Sequence, residues 1–355
     1  MHIKGDTPLA RGDVGESVGM RGIIRNLRRN NRVAFTVSAI GTAVVYAAVA
    51  GYSVDRPAQA APDWVALPQV DLATSRPQIS DIDDDMLDVA SAEGLQDILD
   101  GAGYSLRQVR RGDARVPRLF VESMPNDFDS PMVVDLRKRT FIRTMLPLIL
   151  KVNEEVQIER RHLIALEKYV LSGHDLSDDE QAWLDGLADK YRAGPADFAV
   201  LLRRVDSVSP TVALAQAVEE SGWGRSRFAR EGNALFGQRV WSAGAGVVPE
   251  ERPDGEQFEV RAFNSLLDSV RSYVVNLNRH FAYEDYRAAR AKMRVRDTQL
   301  DPRALAQTLI SYSERREDYV DALVGLIRTN RLDDFELVRL STDPFDLDAI
   351  QIAAR

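Results

Sequence analysis

Apolar residues recur along much of this chain at intervals of three and four, the spacing that turns one face of an α-helix toward a core. Phe141, Met145, Leu148, Val152 and Val156 follow it, which predicts one or two amphipathic helices over residues 135–171, kinked at Pro147. Ser177-Asp178-Asp179-Glu180 resembles a capping box and opens a helix to about Arg192, with Trp183, Leu184 and Leu187 on its buried face. Gly194-Pro195 ends that helix, and Phe198, Val200, Leu201 and Leu202 mark another short one. Ser209-Pro210, an N-cap followed by proline at the first helical position, starts a helix that runs to Gly222. Then the period changes. Residues 241–248 are rich in Gly, Ala and Val, and Arg252-Pro253-Asp254-Gly255 is a turn signal, so strands near 245–251 and 256–263 should form a β-hairpin. Helical spacing resumes over Ser265 to Asn278, Tyr283 to Arg294, Pro302 to Tyr312 and Asp318 to Arg328. The pattern predicts a mainly α fold with one β-hairpin lobe.

The first third of the chain reads differently. No charged residue occurs from Val33 to Val54, a run long enough to cross a bilayer core of roughly 30 Å as a helix. Arg21, Arg25, Arg28, Arg29 and Arg32 precede the run, whereas Asp55, Asp63 and Asp71 follow it. By the positive-inside rule this predicts a cytoplasmic basic segment over residues 1–32, a transmembrane anchor or signal over 33–54, and export of everything beyond. Ala58-Gln59-Ala60 offers a small-x-small cleavage site, so the run is read as a retained anchor with a cleaved signal as the alternative. Translation could begin at Met1 or at Met20, just before the basic cluster. Residues 61–85, with Pro62, Pro68, Pro77 and four aspartates from Asp81 to Asp85, read as a linker. Residues 86–112 carry only a weak pattern, with a short helix or two at most. A linker and weakly structured region thus spans 55–115, the main domain 116–335, and a tail 336–355.

Composition narrows the chemistry. The 355 residues are 45% hydrophobic, enough for a sizeable core. A formal net charge of -8 argues against a nucleic-acid partner, which selects for a basic stripe. With no cysteine there is no disulfide, thiolate nucleophile or cysteine zinc site. His2, His162, His174 and His280 lack metal-ligand spacing, and no glycine-rich phosphate loop precedes a helix, so neither a metal nor another cofactor is implied.

The candidate chemistry sits at the end of the 210–222 helix. At helical spacing Glu220 shares a stripe with Ala213, Gln216 and Ala217, while Glu219 is turned away by roughly a hundred degrees. Partial desolvation on that stripe, with the negative end of the helix dipole, favours a protonated Glu220 near neutral pH. Cleavage of a glycosidic bond needs such a group, because the leaving oxygen must take up a proton. The same residues also fit an ordinary helix end with both glutamates in water.

Ala215-Gln216-Ala217-Val218-Glu219-Glu220-Ser221-Gly222-Trp223-Gly224 is very similar to the helix-end motif of the bacterial glucosaminidase domain family, the peptidoglycan N-acetylglucosaminidases. The resemblance covers roughly residues 116–332. Asn233-Ala234-Leu235-Phe236-Gly237 matches an Asn-Leu-Phe-Gly element with the Asn shifted by one place, and Tyr312-Ser313-Glu314 matches a Tyr-Ala-Thr element with Glu in place of Thr. Val116-Pro117-Arg118-Leu119-Phe120 and Arg137-Lys138-Arg139-Thr140-Phe141-Ile142-Arg143 favour the Bax-type branch.

The resemblance implies a lysozyme-like fold with a cleft between helical and hairpin lobes. It implies Glu220 as general acid and a second carboxylate in the hairpin, matched by Glu251, with Glu259 the alternative and Glu250 also in competition. Trp223, Asn233, Phe236, Tyr312 and Tyr319 are the substrate-binding candidates. The expected activity is hydrolysis of the β-1,4 bond after N-acetylglucosamine in peptidoglycan glycan strands. The alternatives are a lytic transglycosylase and a non-catalytic wall-binding or scaffold protein. The expected location is the inner membrane, with the domain on the periplasmic side.

Overall fold

The computed structural model describes residues 86–240, 244–249, 258–296 and 298–343. The apolar run at 33–54, the linker at 61–85 and the turn at 252–255 lie outside the described residues, and so do Glu250, Glu251 and residues 344–355. What is described is mainly helical with two small sheets.

Strand β1 (Met86–Leu87), helices α1 (Ala92–Gly101) and α2 (Leu106–Arg111), and strand β2 (Phe120–Val121) come first. β1 and β2 pair in parallel, Met86 opposite Phe120. Ser91 and Ser105 cap the two helices by accepting from the backbone N–H groups of Gly94 and Gln108. Two short helices are the most that the weak apolar pattern predicts here, and Leu95, Leu99 and Val109 place them on the main core.

Helix α3 (Val134–Leu171) carries Pro147 within one continuous span of 38 residues. A proline inside a helix costs about 3 kcal/mol. Met145, Leu146, Leu148 and Ile149 around it are all fully buried, and each contributes about 2 kcal/mol of apolar burial, so packing holds the turn together. Helix α4 (Asp178–Tyr191) opens with the capping box: Ser177 Oγ accepts from Glu180 N, and Glu180 accepts from Ser177 N. Helix α5 (Phe198–Arg204) follows as the apolar spacing predicts.

Helix α6 (Pro210–Ser221) is the buried centre of the domain. Every residue from Pro210 to Val218 is buried, and the helix packs against α3, against the later helices α10 (Pro302–Ala306) and α11 (Glu317–Asn330), and against the short turn Leu332–Phe335. Ala213, Ala215 and Ala217 let these neighbours approach closely. Its first turn is closed from outside. Ser209 Oγ accepts from Val212 N at 3.2 Å and donates to Glu336 Oε2 at 2.6 Å, while Thr211 N donates to the same oxygen. Burial pushes the Glu336 carboxyl up to about 7, although the Ser209 and Thr211 hydrogen bonds pull the other way.

Helix α7 (Arg227–Gly232) was not foreseen in the periodicity and is too short to show one. The hairpin lobe has three strands rather than two. β4 (Gly246–Val247) and β5 (Glu259–Arg261) pair antiparallel as expected, and β3 (Arg239–Val240) adds to the other edge of β5, giving the order β3-β5-β4. Helices α8 (Leu266–Arg279) and α9 (Glu284–Val295) flank the 3₁₀ turn Phe281–Tyr283. Buried Arg290 ties α9 to the loop before α6 by donating to the carbonyls of Asp206 and Ser207. The helix expected over Pro302 to Tyr312 stops at Ala306. Thr308 turns both its N–H and its hydroxyl onto the Leu305 carbonyl, a local bond that competes with helical continuation, and tight turns follow to Arg316.

Candidate active site

Glu220 lies in the last turn of α6, one residue before its end. The side chain is half-buried and its carboxyl pKa is raised, by desolvation first and also by the neighbouring charge of Glu219. Two influences act the other way: the Tyr319 hydroxyl donates a hydrogen bond to the carboxylate, and Arg315 is nearby. Arg315 itself is paired with Glu219, so the two glutamates occupy different surroundings.

Four tyrosines surround Glu220 closely enough to feel its charge. They come from α8 (Tyr273), the turn after it (Tyr283), the segment after α10 (Tyr312) and α11 (Tyr319). All four phenols are raised, by burial first, so they stay neutral donors; Tyr283 is pushed up to about 12. A buried amide links two of them. Tyr273 OH donates to Gln216 Oε1 at 2.7 Å, Gln216 Nε2 donates to the Tyr319 oxygen at 3.0 Å, and Tyr319 OH is thereby left to point its proton at Glu220. Gln216 is one helical turn before Glu220 and wholly buried, so its amide cannot turn without losing both bonds.

The chain after the helix is shaped to reach this carboxyl. Gly237, at φ +60°, brings its backbone so close that a Cβ there would stand 2.9 Å from Glu220 Oε2. Gly224, at φ +77°, has no room either, since a Cβ would collide with Met124 and meet Phe141 at 3.0 Å. The Trp223 ring, half-buried, meets Phe141 of α3 edge-on at 5.9 Å, with Lys138 Nζ 5.1 Å from its centroid. It is turned to α3.

Several sequence candidates serve the scaffold. Phe236 is buried and stacks on Tyr273 at 3.9 Å, and its carbonyl accepts from Tyr312 OH at 3.1 Å; it backs the tyrosine layer instead of offering a face to sugar. Asn233 caps α7 at φ +51° and donates to Ser123 Oγ and to the carbonyls of Phe263 and Asn264, which fastens the hairpin lobe to the helices. Tyr319 is fully buried and acts through its hydroxyl; Tyr312 is half-buried beside it. Glu259, the alternative second carboxylate, braces the hairpin: Oε1 accepts from Gly244 N at 2.9 Å and Oε2 from Gly246 N at 2.8 Å. Glu314 reaches across to Arg239 of β3 at 3.2 Å.

Sequence reasoning missed Tyr273, Tyr283 and the linking role of Gln216. The only signal for Tyr273 is a hydroxyl on the apolar stripe Leu266, Val270, Tyr273, Val274, Leu277. A cavity of about 860 Å³ lies at the other end of α6, lined by Arg118, Asp206, Pro210, Arg294 and Glu336 among others. Arg118 is paired there with Glu154, and Arg294 with Asp206. Glu220 does not line it. Among the described residues no group of histidine and carboxylate side chains could hold a metal ion.

Residues 196–332 match the glucosaminidase family, described as mannosyl-glycoprotein endo-beta-N-acetylglucosaminidase. The chain is 31% identical over 201 residues to Protein bax of Escherichia coli (strain K12), covering 55% of this chain and 70% of that one. The catalytic domain of the autolysin Auto from Listeria monocytogenes is 17% identical, with 48% of this chain and 94% of that chain covered and a TM-score of 0.29.

The Tyr319 bond generates a direct expectation. It favours the ionised carboxyl, so Tyr319→Phe should raise the Glu220 pKa further. NMR titration of the labelled glutamate carboxyl reads this, and an unchanged or lowered value would contradict the arrangement.

Proposed function

The chain belongs to the bacterial glucosaminidase domain family, a family of glycosidase-type enzymes, and from that premise we propose that it hydrolyses the β-1,4 bond after N-acetylglucosamine in peptidoglycan glycan strands. The observation that carries this reading is the Glu220 carboxyl, desolvated at the end of α6 and bonded by a neutral tyrosine hydroxyl. A general acid must be protonated before bond cleavage and ionised after it. Burial favours the first state, and the Tyr319 donor, with the positive charge of Arg315, eases the second.

In this mechanism Glu220 passes its proton to the glycosidic oxygen as the bond to the anomeric carbon breaks. The positive charge that develops on the sugar is met by a hairpin carboxylate, Glu251, which takes a proton from the attacking water; the substrate's own 2-acetamido group is the alternative. Gln216 and Tyr273 hold Tyr319 in register. The helical lobe and the three-stranded hairpin lobe stand in this reading as the two walls of a lysozyme-like cleft.

The reading requires the domain to meet the wall. We therefore place residues 33–54 as an inner-membrane anchor with the domain on the periplasmic side, from the uncharged run and the arginines before it. Among the described residues no helix is long and apolar enough to cross a membrane. A periplasmic reporter fused after residue 61 should be active and one fused before residue 20 inactive. The reverse would remove the wall from reach.

Glu220→Gln should lower release of fragments from purified peptidoglycan by at least about a hundredfold with an unchanged circular-dichroism spectrum. Glu251→Gln should lose most activity while Glu250→Gln retains it, since neighbouring strand positions face opposite ways. Digestion by the folded Glu220→Gln protein within a few-fold of the parent would overturn the assignment of the acid.

A further inference from the structure

A line of aromatic rings leads away from Glu220. Tyr319 lies parallel to Tyr312 at 5.5 Å, Tyr312 neighbours Tyr283 at 5.6 Å, Tyr283 neighbours His280 at 5.6 Å, and His280 stacks on Phe281 at 4.4 Å. The inner rings are packed into the protein, but Phe281 is 81% exposed. A phenyl ring left in water gains no burial energy from folding, and that energy stays available to a ligand that covers it. The ring is also held in place. It opens the 3₁₀ turn Phe281–Tyr283, where His280 Nδ1 accepts from Ala282 N at 3.3 Å and buried Arg287 donates to the His280 carbonyl at 2.8 Å.

The charge around this corner is positive in a chain whose net charge is -8. The His280 pKa is lowered by burial and then by Arg192, Arg287 and Arg279; that of Arg279 is lowered by burial and then by Arg192 and Arg261. Arg287 is paired with Glu284 at 2.7 Å. Arg192 and Arg279 have no carboxylate partner among the described residues, and Arg279 is aimed by a bond from Nη1 to the Lys190 carbonyl at 3.2 Å. With Nδ1 accepting from the backbone, the neutral imidazole is assigned its proton on Nε2, where it is free to donate.

We propose that Phe281, His280, Arg192 and Arg279 form a distal subsite for a sugar unit that carries an acidic peptide, with the sugar's apolar face on Phe281 and a carboxylate of that peptide against the two arginines. The proposal rests on the peptidoglycan reading, and it specifies which part of that polymer is recognised: the alternate sugar, whose lactyl ether extends into an acidic peptide. An exposed flat ring matches the C–H face of a pyranose, and the guanidinium groups match a carboxylate in geometry and charge. The ring line joins the corner to Glu220, since Tyr283 feels the Glu220 charge and His280 is its next neighbour.

Full-length protein carrying Glu220→Gln, which should bind without cleaving, tests this by co-sedimentation with intact peptidoglycan and with chitin, a β-1,4 glycan of N-acetylglucosamine that carries neither peptide nor carboxylate. Adding Phe281→Ala should weaken binding to both by about three- to tenfold. Adding Arg192→Gln with Arg279→Gln should weaken binding to intact peptidoglycan by about tenfold and leave binding to chitin unchanged. If all proteins bind both ligands alike, the subsite is overturned while the peptidoglycan reading stands. Equal weakening of both ligands by the arginine changes would overturn carboxylate recognition. Failure of the Glu220→Gln protein itself to bind either ligand would overturn the underlying reading with it.

Discussion

Taking the Glu220 carboxyl partly out of water is the constraint around which the rest of the domain is arranged. A buried ionised carboxylate without partners is costly, and a neutral one needs surroundings that do not force its proton off. The chain meets both conditions with phenols: Tyr273, Tyr283, Tyr312 and Tyr319 stand close around the carboxyl as neutral groups, and Tyr319 is its donor. An arginine or lysine in direct contact would have held this carboxyl ionised. Arg315 is held off by its pairing with Glu219, so its influence on Glu220 is smaller than that of burial.

That arrangement explains why α6 is buried almost throughout although it ends in two acidic residues. The helix must deliver Glu220 to the meeting point of segments from α8, α10 and α11, and small side chains along it allow those segments close. At its start Ser209, Thr211 and Glu336 supply the capping that water would otherwise give, and a carboxyl there suits the positive end of the helix dipole. At its end, Ser221 to Gly224 reverses the chain in a left-handed run, with φ of 58°, 63° and 77° at Gly222, Trp223 and Gly224. The reversal frees Gly237 to pack on the carboxyl.

Local rules made much of this legible in advance. Ser209-Pro210 and Gly222 bound α6 because caps act within a few residues, and the capping box at Ser177 begins α4 for the same reason. The small stripe beneath Glu220 was also readable, Gln216 included. What escaped was long-range. Tyr273 is 57 residues from Gln216 and Tyr319 is 103, and nothing in their own neighbourhoods marks a shared hydrogen bond. Asn233 and Phe236 are substrate-binding candidates by resemblance, and a motif residue can also hold the fold of its site. The left-handed φ and the hydrogen bonds of Asn233, and the burial and stacking of Phe236, fit that second role. Glu259 illustrates the same limit, since alternation along a strand cannot say whether an inward carboxylate meets substrate or its own sheet.

The central claim is that a single protonated carboxyl, Glu220, drives hydrolysis at the N-acetylglucosamine side of the glycan bond. Mass spectrometry of the fragments released from peptidoglycan in isotopically heavy water tests it most directly, because hydrolysis must leave one solvent oxygen on the new end. The account predicts new reducing N-acetylglucosamine ends carrying one heavy oxygen. Anhydro-muramic ends without the label, or labelled muramic acid ends, would contradict it.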